Sequence, residues 1–172
     1  RWMRQLEESW TTQSEVSWGT VRFAGHTFGS YHKVKLPSGG AIAHPPGAGK
    51  SRIVLQMHLS SSSPVPTLVF CPAHLVAQWR AEAEAAGLQC ATRPLGRGGS
   101  CVEATSPRTA PFLVAGFASA QSVLEAGSKF PLGRVVVDEP QDCPHEHVMT
   151  VAHKASRSRW LLCGTAESHL DL

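Results

Sequence analysis

The sequence of 172 residues lacks any apolar run near the roughly 20 residues that a membrane-spanning helix needs, and no secretory signal opens it. We therefore expect neither a membrane protein nor a secreted one. The five cysteines include no Cys-x-x-Cys pair. Cys71 and Cys163 lie in apolar runs, as buried thiols usually do, which indicates a reducing compartment rather than a disulfide framework.

Charge is also scarce, because charged residues make up only 17% of the chain and aspartate occurs three times. Two of the three aspartates, Asp138 and Asp142, lie within five residues of each other, which marks that tract. The net charge of +3 permits nucleic-acid binding without arguing for it. With 42% hydrophobic residues the chain can bury a core of one domain or one lobe, and its start at Arg1 rather than Met leads us to expect an excerpt of a longer protein.

Short apolar runs alternate with helical patterns along most of the chain. The predicted strands are 16–23, 41–43, 67–71, 88–92, 112–115, 135–137 and 160–163, and the predicted helices are 1–12, 50–59, 74–86, 119–126 and 145–155. Residues 94–111 are predicted to form a loop. This alternation predicts an α/β fold with a parallel β-sheet and helices on both faces.

The first motif spans residues 44–51, which read His-Pro-Pro-Gly-Ala-Gly-Lys-Ser between a predicted strand and a predicted helix. This is the core of a P-loop, in which backbone N–H groups and a helix N-terminus hold phosphate, the lysine reaches the β and γ phosphates, and the serine ligates Mg²⁺. We predict ATP and Mg²⁺ as ligands. The predicted nucleotide-binding residues are Pro46, Gly47, Ala48, Gly49, Lys50, Ser51 and Arg52. The full pattern has glycine where this chain has His44.

The second motif is a Walker B pattern, in which Val135–Val137 lead into Asp138 and Glu139. An apolar strand delivers the aspartate to its carboxyl end, where open α/β sheets bind ligands. We predict that Asp138 joins Ser51 in holding Mg²⁺, and that Glu139 deprotonates the attacking water while Lys50 neutralises phosphate charge.

Four motifs together resemble the Swi/Snf-like group of superfamily 2 helicases. Residues 67–79 resemble its motif Ia, with a strand ending in proline followed by leucine and Gln-Trp on a helix. Residues 39–43 resemble its Gly-Gly-hydrophobic lead-in, and residues 159–166 resemble its motif III. Residues 112–122, a strand running into a helix, lie where its motif Ib lies. The P-loop and Walker B motifs lie in the same order, and the group commonly lacks the first P-loop glycine. The resemblance implies a first RecA-like lobe over 39–172, with 1–38 as an N-terminal helix and strand extension.

The resemblance implies an ATP-binding lobe of a DNA-dependent ATPase, a double-stranded DNA translocase of chromatin-remodelling or DNA-repair type, which is nuclear in a eukaryote and otherwise cytoplasmic. It implies nucleic-acid contacts by Pro72, His74, Gln78 and Gly116, and coupling roles for Gln141, Gly164 and Thr165. The arginine finger of that group lies on a second RecA-like lobe, so we expect this lobe to be inactive by itself.

The chain departs from the group where Pro140 and Gln141 replace the alanine and histidine of the Asp-Glu-Ala-His box, and where Cys163 and Ala166 replace threonine and proline of motif III. These changes favour an alternative, a degenerate nucleotide-binding scaffold or switch without translocation. The Asp-Glu-x-Gln-Asp run also fits a superfamily 1 helicase lobe, a second alternative.

Three further features allow two interpretations each. The cysteine and histidines at 143, 145, 147 and 153 could ligate a metal, although a polar turn after the Walker B strand is favoured because the spacing is not that of common zinc modules. Trp79 could stack on a base, although a core position is favoured. Arg93, Arg97 and Arg108 could touch phosphates, although loop arginines are usually solvated.

Overall fold

In the computed structural model of the chain, the described residues are 3, 15–23, 26–33, 39–61, 66–94, 99–106, 110–127, 132–143 and 156–164. The chain divides into two compact units, Arg1–Gly39 and Gly40–Leu172. Within the described ranges, no helix is both long and apolar enough to cross a membrane. The predicted helix at 145–155, and all of the one at 1–12 except residue 3, lie outside the described residues.

The first unit contains an antiparallel pair of strands, β1 (Glu15–Phe23) and β2 (His26–Lys33). The strand predicted at 16–23 is present. Gly29 lies inside β2, opposite Thr20.

The second unit is built on a seven-stranded sheet. Its strands are β3 (Gly39–Ala43), β4 (Thr67–Cys71), β5 (Gln89–Pro94), β6 (Ser100–Thr105), β7 (Phe112–Gly116), β8 (Leu132–Asp138) and β9 (Ser156–Cys163), and its helices are α1 (Lys50–Leu59), α2 (Val76–Ala85) and α3 (Ala120–Gly127). The order across the sheet is β3-β9-β8-β4-β7-β6-β5. The strands β4 and β8, which are rich in β-branched and aromatic residues, lie at its centre.

One part of the sheet differs from the sequence prediction. Strands β4, β7, β8 and β9 pair in parallel, as predicted, but β6 pairs antiparallel with both β7 and β5. The loop predicted at 94–111 is therefore wrong over 100–105, where β6 forms. Within β6, Cys101, Val102 and Ala104 are buried, yet the serine, glycine and proline around the strand dominate the sequence pattern. The sheet is mixed and mostly parallel.

Helices cover both faces of this sheet, as predicted. Side chains alternate between the faces along each strand. One face carries a cluster that includes residues of α3; its members are Leu68, Phe70, Cys101, Ala115, Phe117, Ala120, Val123, Val135 and Val137. On the other face, Phe112 contacts the His58 ring of α1 at 5.1 Å and the Trp79 ring of α2 at 6.1 Å between centroids.

Short 3-10 turns follow three of the parallel strands at their carboxyl ends. They are Ala73–Leu75 after β4, Phe117–Ser119 after β7, and Pro140–Asp142 after β8. Because adjacent parallel strands end at one edge of the sheet, these turns and the loop before α1 gather the polar residues of the site there.

Candidate nucleotide-binding and catalytic site

The loop between β3 and α1 has the backbone that phosphate binding requires. Gly47 and Gly49 adopt left-handed conformations, with φ of 79° and 85°, which cost other residues about 1–2 kcal/mol. The helix α1 begins directly after Gly49, without a side-chain cap and without an acidic residue in its first turn. Its first backbone N–H groups are therefore available as hydrogen-bond donors to an anion, and they carry the partial positive charge of the helix start.

His44 occupies the place where the full P-loop pattern has glycine. Among the described residues other than glycine, positive φ occurs only at Glu139, so the backbone at His44 does not need glycine. The His44 N–H donates to the carbonyl of Cys163 on β9 at 3.1 Å, which ties the loop to the sheet. The departure at this position leaves the loop intact.

The Lys50 ammonium points back into the loop. Its Nζ donates to the carbonyl oxygens of His44 at 2.7 Å and Pro45 at 3.4 Å. Lys50 is half-buried and lies at the mouth of a cavity of about 300 Å³. A cation held by two neutral carbonyls can exchange them for phosphate oxygens, to which it binds more strongly.

The same cavity brings the two sequence motifs together. It is lined by Pro46, Gly47, Gly49, Lys50, Ser51, Arg52, Leu75, Gln78, Glu82, Asp138 and Glu139. Six of the seven residues predicted for nucleotide binding are in this set. The seventh, Ala48, is exposed, and its N–H donates to the carbonyl of Pro45 at 3.2 Å.

Asp138 ends β8 and is 6% exposed. The Trp79 indole Nε1 donates a hydrogen bond to its Oδ2 at 2.9 Å. Burial raises the pKa of the Asp138 carboxyl above its ordinary value and the neighbouring Glu139 adds to the rise, whereas the Trp79 hydrogen bond and the Lys50 charge oppose it. A bound divalent cation would favour the ionised carboxylate further.

Glu139 has the strained backbone of the site, with φ of 50° and ψ of 62°. Its N–H donates to the carbonyl of Leu162 on β9 at 2.8 Å, which keeps the strand ends side by side. Its Oε2 accepts hydrogen bonds from Gln141 Nε2 at 2.5 Å and from the Gly164 N–H at 3.3 Å. Two of the predicted coupling residues therefore contact the predicted base directly. The third, Thr165, lies outside the described residues.

The donor set fits magnesium. The Ser51 hydroxyl and the Asp138 carboxylate line one cavity, and such hard oxygen ligands are those that Mg²⁺ takes together with phosphate oxygens and water. Over the described ranges, no group of three or more His, Cys, Asp or Glu side chains is arranged to hold a metal ion. His145, His147 and His153 lie outside those ranges, so the metal interpretation of that tract stays untested.

The residues predicted to contact nucleic acid lie in two places. Pro72 and His74 follow β4, and Gly116 ends β7 beside them, with Ala73 only 3.7 Å from where a Gly116 Cβ would stand. Pro72 is buried and His74 exposed. Gln78 instead lines the same cavity as Lys50 and Asp138, where its Nε2 donates to Glu82 Oε1 at 3.3 Å. The nucleic-acid role of these residues remains a prediction.

The other open interpretations are resolved in part. Trp79 is 1% exposed, which confirms a core position. Arg93 pairs with Glu103 across β5 and β6 at 3.3 Å, whereas Arg97 and Arg108 lie outside the described residues.

Sequence reasoning missed three residues of the site. Leu75 and Glu82 line the cavity, Leu75 from the turn after β4 and Glu82 from α2, which packs against α1. Trp79 contacts Asp138, and the sequence holds a signal for this contact. A buried indole N–H needs an acceptor, and the chain has few carboxylates at strand ends.

Comparisons with known proteins support the fold. No protein family and no curated protein matches the chain. Among solved structures it is similar to a Sulfolobus solfataricus SWI2/SNF2 ATPase core in complex with dsDNA, with a TM-score of 0.54 and 20% identity. The fold is that of a RecA-like lobe. The match covers 73% of this chain and 27% of that one, so the chain spans about a quarter of its length.

A second solved structure, a mutant large terminase ATPase domain from Thermus phage P74-26, aligns with a TM-score of 0.39 and 13% identity, over 76% of this chain and 62% of that one.

Proposed function

We propose that this chain is the ATP-binding lobe of a DNA-dependent ATPase, a double-stranded DNA translocase of chromatin-remodelling or DNA-repair type. The observation that carries the proposal is the convergence of Lys50, Ser51, Asp138 and Glu139 on one cavity at the mouth of a P-loop. These four residues come from two motifs 88 positions apart, and they are the cation, metal and base positions of phosphoryl transfer from ATP to water.

Each residue has a role that its position supports. The left-handed glycines and the uncapped start of α1 bind the phosphates, and Lys50 exchanges the carbonyls of His44 and Pro45 for phosphate oxygens. Ser51 and Asp138 hold Mg²⁺, which when bound neutralises charge on the phosphates. Glu139 accepts the proton of the attacking water.

The DNA part of the proposal rests on the resemblance of the motifs and on the likeness to a SWI2/SNF2 ATPase core that was solved with dsDNA. His74, in the turn after β4, and Gly116, the last residue of the neighbouring strand β7, lie at the same edge of the sheet as the nucleotide cavity. A DNA strand bound at His74 and Gly116 would lie close to the site of hydrolysis. A second RecA-like lobe is the further partner that we propose.

The nucleotide part is tested by Lys50→Ala. Removal of the ammonium should abolish ATP binding in a fluorescence or calorimetric titration, because it removes the cation nearest the phosphates. The matched control is Arg80→Ala, which removes an exposed cation that pairs with Glu84 on α2 at 2.9 Å, outside the cavity. Equal ATP affinity in wild type and Lys50→Ala would overturn the P-loop assignment.

The DNA part is tested on the complete two-lobed protein. Its ATPase rate should rise with added duplex DNA, and binding should weaken steeply with salt because phosphate contacts release counterions. An ATPase rate that neither DNA nor RNA changes would refute the proposal that the protein is a translocase.

A nucleotide-dependent switch without translocation is the second candidate. It is favoured by the hydrogen bonds that Gln141 and Gly164 donate to the Glu139 carboxylate, because both use Oε2 of the proposed base. A switch predicts nucleotide binding that changes the surface around Gly164 without turnover. Measurable hydrolysis by the complete protein, lost in Glu139→Gln, would exclude it.

A further inference from the structure

The Trp79–Asp138 hydrogen bond joins two residues that the sequence places 59 positions apart. Asp138 and Trp79 lie on the same face of the sheet, opposite the cluster that contains Val137. The indole packs on Phe112 of β7, and its nitrogen reaches the end of β8, so the ring spans the intervening strand β4. Both partners are buried, at 1% and 6% exposure.

The Trp79 ring is itself held in place. Its plane is tilted by 36° to that of Phe112, which is fully buried and also contacts the His58 ring, at 5.1 Å between centroids. A ring fixed in this way presents its N–H in one direction. The acceptor could have been any backbone carbonyl, yet it is a carboxylate that faces the nucleotide cavity.

We propose that Trp79 is a positioning residue for the metal: its indole N–H holds Oδ2 of Asp138, so that the other carboxylate oxygen is presented to Mg²⁺. The inference rests on the proposed Mg²⁺–nucleotide function. Hydrogen bonds of this kind orient ligating carboxylates, and their loss typically costs roughly 10- to 100-fold in metal affinity.

The test separates this role from simple packing. Trp79→Phe keeps an aromatic ring in the core and removes the donor. We would measure the affinity of the 172-residue chain for a fluorescent ADP analogue with excess Mg²⁺ and again with EDTA. The ratio of the affinity with Mg²⁺ to the affinity with EDTA should be roughly 10- to 100-fold smaller in the variant than in wild type. The affinity in EDTA should stay at the wild-type value.

The matched control is Trp160→Phe, the same exchange at a fully buried position on β9. It should keep the full Mg²⁺ effect. An unchanged Mg²⁺ effect in Trp79→Phe, or an equal loss in Trp160→Phe, would overturn the positioning role. In an Asp138→Asn background, Trp79→Phe should have no further effect on Mg²⁺ dependence; independent, additive effects would also overturn it.

A second measurement needs no variant of Trp79. In ¹⁵N-labelled protein bound to ADP, the Trp79 indole resonance should shift when Mg²⁺ is added, whereas that of Trp160 should not. A stationary Trp79 resonance in the presence of Mg²⁺-dependent ADP binding would refute the inference alone. Wild-type protein that binds no nucleotide would refute the proposed function itself.

Discussion

The stability of the lobe should depend on pH through one buried histidine. His58 of α1 is 3% exposed, and its Nδ1 lies 3.1 Å from the Thr67 hydroxyl. The same hydroxyl accepts a hydrogen bond from Arg134 Nη1 at 3.0 Å, and Arg134 is 1% exposed. Burial, and then the charge of Arg134, lower the pKa of His58 from its ordinary value of 6.5 to about 4, against a smaller opposing effect of the Ala110 backbone.

The sign of the effect follows from proton binding. Between pH 6.5 and about 4 the unfolded chain binds a proton at His58 that the folded chain refuses. The stability that His58 contributes to the folded chain is therefore fully present above pH 6.5, and it is lost as the pH falls towards 4. At about 1.4 kcal/mol per pH unit, the full loss is about 3 kcal/mol, of which about 2 kcal/mol has appeared at pH 5.

The assay is urea unfolding of the 172-residue chain, followed by circular dichroism, between pH 7.5 and pH 4.5. His58→Asn keeps a polar group near Thr67 but cannot titrate, so its unfolding free energy should fall by about 2 kcal/mol less than that of wild type between pH 7.5 and pH 5. Asp138, whose pKa is raised, contributes a slope of opposite sign in both proteins and cancels in the comparison.

The control variant is His74→Asn, an exposed exchange of the same kind in the turn after β4. It should keep the wild-type pH dependence. Parallel curves for wild type and His58→Asn would refute the assignment of the acid sensitivity to His58.

Two predictions concern catalysis. In a protein that includes the proposed second lobe, Glu139→Gln should bind ATP normally but turn it over about 100-fold or more slowly, since the base is lost. Single-turnover hydrolysis measures this rate, and an unchanged rate would remove Glu139 from the mechanism. The 172-residue chain alone should bind Mg-ATP weakly and show almost no turnover with or without DNA, because an arginine finger contributes a factor of about 10³ to 10⁵ and the resembled family supplies it from the second lobe. Strong DNA-stimulated hydrolysis by this chain would contradict that expectation.

Much of the central sheet was predictable, because its strands are continuous apolar runs bounded by clear turn residues. Thr67–Cys71 is a predicted strand with these bounds, and it is fully buried at the centre of the sheet. The strand β6 was not predictable in the same way, since alternation over six residues is weak and tertiary pairing with β7 decides it.

Some features of the site were predictable from the sequence and others were not. The P-loop and Walker B residues were predictable because their chemistry fixes both type and spacing. The contacts of Trp79 with Asp138, and of Gln141 and Gly164 with Glu139, were not, since they depend on where separate strands end relative to one another.

The left-handed backbone at Glu139 bears on how this chain could evolve. Glycine and asparagine adopt that conformation more readily than glutamate does, by about 1 kcal/mol or more. A lineage that no longer used the carboxylate would therefore gain stability by drifting away from glutamate at this turn. Strain of this kind persists where activity maintains it, so relatives that had become scaffolds should carry glycine or asparagine here, whereas relatives that hydrolyse ATP should retain the less stable residue.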